Sequence, residues 1–151
     1  MGIDGRSVPD RVGWHIVADH FVGHWVADKI NGSYWAEKSQ AIGLEKNGNL
    51  IAGVIYENYN GRSCVVHLAI QDRINKKFLS AIFKYAFKTC GIEKAIAPVS
   101  SSNTSIKSLV EKMGFVKEAT IKDADPKGDI ELYTMRREDC RFLEDRYGKE
   151  L

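Results

Sequence analysis

The chain has 151 residues, 44% of them hydrophobic, and a formal net charge of +2, which suits one domain with a core of its own. Acids and bases are interspersed, so neither nucleic acid nor an anionic membrane is an expected partner, and no apolar run is long enough to span a bilayer. The three cysteines, Cys64, Cys90 and Cys140, are odd in number and lack CxxC spacing, which argues for reduced thiols rather than a disulfide frame or zinc knuckle.

Met1 to Asp10 lacks the apolar core of a signal peptide, and the expected location is the cytoplasm. From His20 to Ile30 apolar residues recur at helical spacing and Asn31-Gly32 supplies a stop, which predicts a helical start to the domain. Ala41 to Glu45 and Leu50 to Tyr59 are β-rich runs around Lys46-Asn47-Gly48-Asn49, the signature of a hairpin. Asn60-Gly61-Arg62 turns the chain again, and Ser63 to Ile70 is almost wholly apolar, as for a strand covered on both faces. Ile74, Phe78, Ile82, Ala86 and Cys90 then recur every four residues, predicting a helix from about Ile74 that Gly91 ends. Ile92 to Val99 reads as the next strand, parallel to Ser63–Ile70 through a strand-helix-strand crossover.

Ser100-Ser101-Ser102-Asn103 offers N-cap candidates for a short helix whose apolar face is Ile106, Leu109, Val110 and Met113 and whose C′ residue is Gly114. Phe115 to Lys122 and Gly128 to Arg136 form a second antiparallel pair around Asp125-Pro126-Lys127-Gly128. The charged tail from Arg137 to Tyr147 reads as helical, with Phe142 and Leu143 free to dock on the sheet or on a second subunit of a homodimer. This order defines a single α/β (α+β) domain over residues 1–151, with a mixed and mostly antiparallel sheet.

The segment Asn103 to Phe115, together with Gly128-Asp129-Ile130-Glu131-Leu132-Tyr133-Thr134-Met135, resembles the GNAT superfamily of acyl-CoA N-acyltransferases, and within it compact bacteriophage-encoded members. The likeness runs from about Gln40 to Phe142. The resemblance implies a splayed central parallel strand pair that admits the thioester arm of acetyl-CoA as co-substrate, without a metal. By the same likeness Leu68, Ala69 and Ile70 supply main-chain contacts to that arm, and an amide among them polarises the thioester carbonyl. Asn103 matches the asparagine that bonds the arm, and it is also placed to cap its helix.

Two departures from the family pattern stand out. The usual Gln/Arg-x-x-Gly-x-Gly/Ala turn would fall at Ile70-Gln71-Asp72-Arg73-Ile74-Asn75, where neither glycine is present. Arg73, Ile74, Asn75 and Lys76 are then the candidate pyrophosphate contacts, through helix-terminal amides and charge, the alternative being that the cations only solvate the first turn. Val110 stands where many relatives carry a tyrosine acid, which leaves Ser105 and Tyr133 as candidate acids. For the base, His67 titrates in a useful range within its apolar strand, and Glu57 could act through water.

His20 and His24 have metal-capable spacing, but nothing completes a ligand set. Trp14, Trp25, Trp35, Tyr34, Tyr56 and Tyr59 are candidates for an acceptor wall or for ordinary core aromatics. The implied activity is acetyl transfer to a primary amine on a small molecule or a protein. In a phage setting the acceptor could also be an aminated DNA base. The alternative is a catalytically silent GNAT-fold binding module acting through a host protein or nucleic acid.

Overall fold

A computed structural model describes residues 13–144; the signal-peptide reading of Met1–Asp10 and the end of the tail at residues 145–147 lie outside them. In chain order the elements are β1 (Trp14–Val17), α1 (His20–Ile30), β2 (Gln40–Lys46), β3 (Asn49–Glu57), β4 (Ser63–Ile70), α2 (Lys76–Lys84), β5 (Lys94–Ser100), α3 (Thr104–Met113), β6 (Val116–Asp125) and β7 (Gly128–Arg136). Seven strands form one sheet in the order β1-β2-β3-β4-β5-β7-β6, antiparallel throughout except at β4 and β5. The expected fold class is thus observed, and it is the GNAT fold. No helix among the described residues is long and apolar enough to cross a membrane.

Local chemistry explains most boundaries. The β2–β3 hairpin turns on Asn47 and Gly48, both at positive φ (54° and 86°), as a two-residue turn matched to strand twist demands. Asp19 caps α1 by accepting from the Phe21 amide, and Asn31 closes it in the left-handed region at φ 56°. The domain does not begin with that helix, however. Trp14–Val17 precedes it as an edge strand on β2, and four residues are too few for alternation to announce them.

The second helix also starts later than its periodicity suggests. Asn75 caps it, its side chain accepting from the Phe78 amide at 2.8 Å, so Ile74 lies outside the helix rather than in its first turn. Ile74 and Leu79 occupy the two positions of a hydrophobic staple, and both pack on the core. From Tyr85 to Thr89 the helix widens to π spacing, and the Tyr56 hydroxyl donates to the Ile82 carbonyl at 2.7 Å beside the change. The tail forms two short 3-10 turns, Arg137–Asp139 and Arg141–Leu143, rather than a continuous helix over the described part. Phe142 docks on its own chain, stacked on Phe83 at 4.9 Å between centroids.

Two cores flank the sheet. The larger one joins β2–β5 and β7 to α2 and α3 through residues such as Leu44, Val54, Phe78, Phe87, Ala97, Val110 and Tyr133. The smaller one, built on Val17, Val22, Val26, Ile55 and Ala69, lies under α1. Residues of β4 accordingly alternate. Cys64, Val66 and Leu68 are buried toward the large core, whereas Val65 and His67 are only half-buried. The expectation of a strand covered on both faces is met at Ala69, which is buried under α1 on the face opposite Leu68, and not at Val65 and His67, which stay half-buried on that face.

Candidate active site

The parallel pairing of β4 and β5 lasts for three residue pairs, Ser63 with Lys94, Cys64 with Ala95 and Val65 with Ile96. Beyond them β4 stays paired with β3 up to Ile70 and β5 with β7 up to Ser100, yet the two no longer pair with each other. Pro98 sits in β5 at this level, a residue that cannot donate a ladder bond and is therefore confined to places where none is needed. The parting strands open a cleft of about 550 Å³, within the range of small-molecule sites.

Val66, His67 and Leu68 form one wall of the cleft, and Ala97 to Ser100 the other. The C-terminal end of α1, Lys29 to Gly32, closes the side of the smaller core, and Asn103 with Ile106 brings the start of α3 to the opposite side. The β6–β7 turn adds Asp125, Pro126 and Lys127. That turn is tied down by the serine run. Ser100 Oγ donates to Asp125 Oδ2 at 2.9 Å, and Ser101 Oγ accepts from the Asp129 amide at 3.0 Å. These serines, legible as cap candidates, instead stitch β5 to the hairpin, while Asn103 alone caps α3 by accepting from the Ile106 amide at 3.2 Å.

His67 and Glu57 come together as a pair. Ile55 is the register partner of His67, so Glu57, two residues along β3, projects from the same face. Its Oε2 lies 2.5 Å from His67 Nε2. Both side chains are about one-quarter exposed, 22% for His67 and 25% for Glu57. A carboxylate bound to one imidazole nitrogen fixes the tautomer and leaves the other nitrogen as an acceptor. Only His67 of the two lines the cleft.

The other sequence candidates are distributed as follows. Leu68 lines the cleft, whereas Ala69 is buried beneath α1 and Ile70 packs on the larger core. Arg73, Ile74, Asn75 and Lys76 lie beyond the end of β4, outside the cleft lining. There Asp72 accepts from the Arg73 amide at 2.7 Å, and Asn75 uses its side-chain oxygen on its own helix. Ser105 is exposed in the first turn of α3 and does not line the cleft. Tyr133 is 1% exposed, with its hydroxyl on Glu111 Oε2 at 2.9 Å and near Glu131 Oε1 at 3.3 Å. Burial, reinforced by the Glu111 bond, raises its pKa above the usual tyrosine value. Glu131 in turn holds Lys107 Nζ at 3.1 Å, so Tyr133 belongs to a network joining β7 to α3.

Both histidines of α1 meet the ring of Tyr34. His20 Nδ1 is 2.6 Å from the Tyr34 hydroxyl, and His24 meets the same ring edge-on at 5.1 Å. No group of three or more His, Cys, Asp or Glu side chains among the described residues is placed to hold a metal ion. Tyr56 is a core residue, and Trp35 and Tyr59 are exposed; none of the six aromatics lines the cleft. The walls given by Asn31-Gly32 and Asp125–Lys127 escaped the sequence reading of the site, whereas the helix His20–Ile30, which contributes Lys29 and Ile30, is expected from the sequence at the edge of the cleft. Both were legible as turn punctuation, Asn-Gly and Asp-Pro-Lys-Gly, but nothing local says that a turn faces a cleft.

No family model matches the sequence, and no curated protein does at a meaningful level. Solved structures do match. A spermidine N-acetyltransferase SpeG variant from Vibrio cholerae is 17% identical, with a TM-score of 0.67 over 90% of this chain and 99% of that one. A dodecameric structure of the spermidine N-acetyltransferase from the same organism is 16% identical, with a TM-score of 0.67 over 89% and 99%. A probable acetyltransferase is 16% identical, with a TM-score of 0.58 over 78% and 70%. What this chain shares with these acetyltransferases is the fold.

Proposed function

We propose that this chain is an N-acetyltransferase that moves an acetyl group from acetyl-CoA directly to a primary amine. The observation that carries the reading is the parting of β4 from β5 after Val65 and Ile96. It leaves backbone groups of both strands facing a cleft instead of each other, a template for an extended amide-bearing ligand. The pantetheine arm of acetyl-CoA has that character, and the cleft at about 550 Å³ has room for it.

When bound, acetyl-CoA supplies the activated acyl group. The main chain of β4 at Leu68, Ala69 and Ile70 binds and orients the arm, and an amide there stabilises charge on the acyl oxygen. Asn103 adds a side-chain amide at the cleft while capping α3. His67, oriented by Glu57, takes the proton that an ammonium acceptor must lose before attack. Arg73, Lys76 and the amide end of α2 attract the phosphates; Asp72 and the absence of glycines make this the weakest part of the grip. The acceptor is an amine on a small molecule or a protein, and the proposed compartment is the cytoplasm. Tyr133 takes the role of a strut between Glu111 and Glu131, and no side chain is assigned as the acid.

Calorimetric titration with acetyl-CoA, beside free CoA and ATP, tests the cleft; no heat or thermal stabilisation at about 1 mM acetyl-CoA would sink the reading. Thiol release across an amine panel, with mass detection of the acetylated product, tests the chemistry. Binding without transfer to any amine would favour a catalytically silent module on the same fold.

A further inference from the structure

Along β5 and β7 the buried residues Ala95, Ala97, Val99, Tyr133 and Met135 all face the larger core. Their alternates Ile96, Pro98, Ile130 and Leu132 therefore point to the opposite face of the sheet, the one that carries His67, and each of the four is only half-buried. On that face α1 packs on β2, β3 and β4 and leaves β5 and β7 half open. Pro98, Ile130 and His67 line the cleft. Ile96 and Leu132, two positions along the same strands and further from the β6–β7 turn, line a second hollow of about 290 Å³ together with Arg62, Ser63, Lys94 and Thr134. The cleft thus continues as an apolar track down the sheet.

The far end of that track is electropositive. Glu118 Oε1 accepts from Lys94 Nζ at 2.7 Å and from Thr134 Oγ1 at 2.8 Å, and Arg136 is close enough to act on the same carboxylate. Arg62 bonds its neighbours through its main chain and stays exposed. A guanidinium fork beside an ammonium group suits a carboxylate, and a polycation would be repelled there. From His67 back to Arg62 the chain runs five positions, roughly 16 Å of extended strand. An extended peptide spans that distance in about five residues, whereas an amine of a few heavy atoms reaches only one end.

We propose that the acceptor is the free N-terminus of a peptide chain that lies extended on this face, its α-amine at His67, its apolar side chains on Ile96 and Leu132, and an acidic group near its fifth position held by Arg62 and Lys94. The proposal rests on the acyl-transfer reading and narrows its acceptor. An α-amine loses its proton near pH 8, about 2 units below a lysine ammonium, so the imidazole of His67, paired with Glu57, has the easier task with it. In the transfer the amine nitrogen bonds the acetyl carbon and the C–S bond breaks with its electron pair on sulfur. The proton of the amine passes to His67 and from there to solvent, and CoA leaves as the thiolate.

Thiol release at fixed acetyl-CoA, measured on the full chain with the peptide amide Ala-Val-Ala-Leu-Glu-Glu, with the same peptide carrying lysines for its two glutamates, and with spermidine, tests it. The acidic peptide is expected to exceed both others at least tenfold in kcat/KM, with the difference in KM. Arg62→Glu is expected to reverse the preference between the two peptides, a gain for the lysine peptide that a folding defect cannot produce. Equal rates for the two peptides, a preference for spermidine, or a preference indifferent to Arg62→Glu overturns the proposal. Calorimetric titration of both peptides in the presence of free CoA reads the same face without chemistry. If no amine is acetylated but the acidic peptide still binds at least tenfold tighter, the peptide track stands and the acyl-transfer reading fails; equal affinities overturn the track itself.

Discussion

Glu57 Oε2 and His67 Nε2 are 2.5 Å apart, although the residues sit on different strands and are two positions out of register. Read along the sequence they are two rival bases. In space they are one unit, a carboxylate that holds an imidazole at the wall of the cleft. His67→Ala should therefore lower kcat by about 10² to 10⁴, the usual contribution of a positioned base, with little change in the affinity for acetyl-CoA. Glu57→Gln keeps the side-chain shape but can favour the wrong tautomer, and a loss in kcat with an altered pH profile is expected. Steady-state thiol release as a function of pH reads both, and wild-type kinetics in a folded His67 variant would remove it from the mechanism.

Asn103 joins stability to the site, because its side chain caps α3 and lines the cleft. Asn103→Ala should cost about 1 kcal/mol, or roughly 3 °C in Tm for a chain of this size, and weaken acetyl-CoA binding. Asn103→Ser restores a capping oxygen but not the longer amide. Thermal scans and titrations on both variants separate the two roles: serine should recover Tm without recovering affinity.

Gly53 makes room for α1. A Cβ there would lie 2.6 Å from Val26 Cγ2 and 3.0 Å from Val22 Cγ1, contacts that force the helix off the sheet. Gly53→Ala should destabilise by about 1 to 3 kcal/mol, as overpacking of a filled core does. It should also reduce acetyl-CoA affinity, since the end of α1 closes one side of the cleft. Denaturant unfolding and calorimetry check the two effects, and an unchanged midpoint would show that α1 rides freely on β3.

Burial pushes the Cys64 thiol up from 9.0 to about 12, helped by nearby Cys90, and burial likewise raises Tyr56. Between pH 9 and 12 the unfolded chain releases the Cys64 proton while the folded chain keeps it. Fewer protons are then bound in the unfolded state, so stability must fall as pH rises through this window. Urea midpoints at about pH 8 and about pH 10.5 should show the drop, and Cys64→Ala should reduce the slope with pH even if it shifts the absolute midpoint. Alkylation of Cys64 should wait on unfolding at either pH.

The sequence alone determined the elements whose code is local. The Asn47-Gly48 turn, the Asn31 and Gly114 helix stops and the four-residue apolar spacing of α2 each follow from the conformational limits of a few adjacent residues, and with the strand-helix-strand order they lead to the sheet class. Tertiary structure decided what depends on register between distant segments. It set where β4 leaves β5, brought Glu57 to His67, turned Ser100 and Ser101 toward the β6–β7 turn, and sank Tyr133 between two carboxylates. A strand's side chains reveal which face is apolar, but not which neighbour its free amides meet or how far along that neighbour stays. Most of those contacts join residues at least 10 positions apart, and only the packing of α1, α2 and α3 on the two faces fixes them.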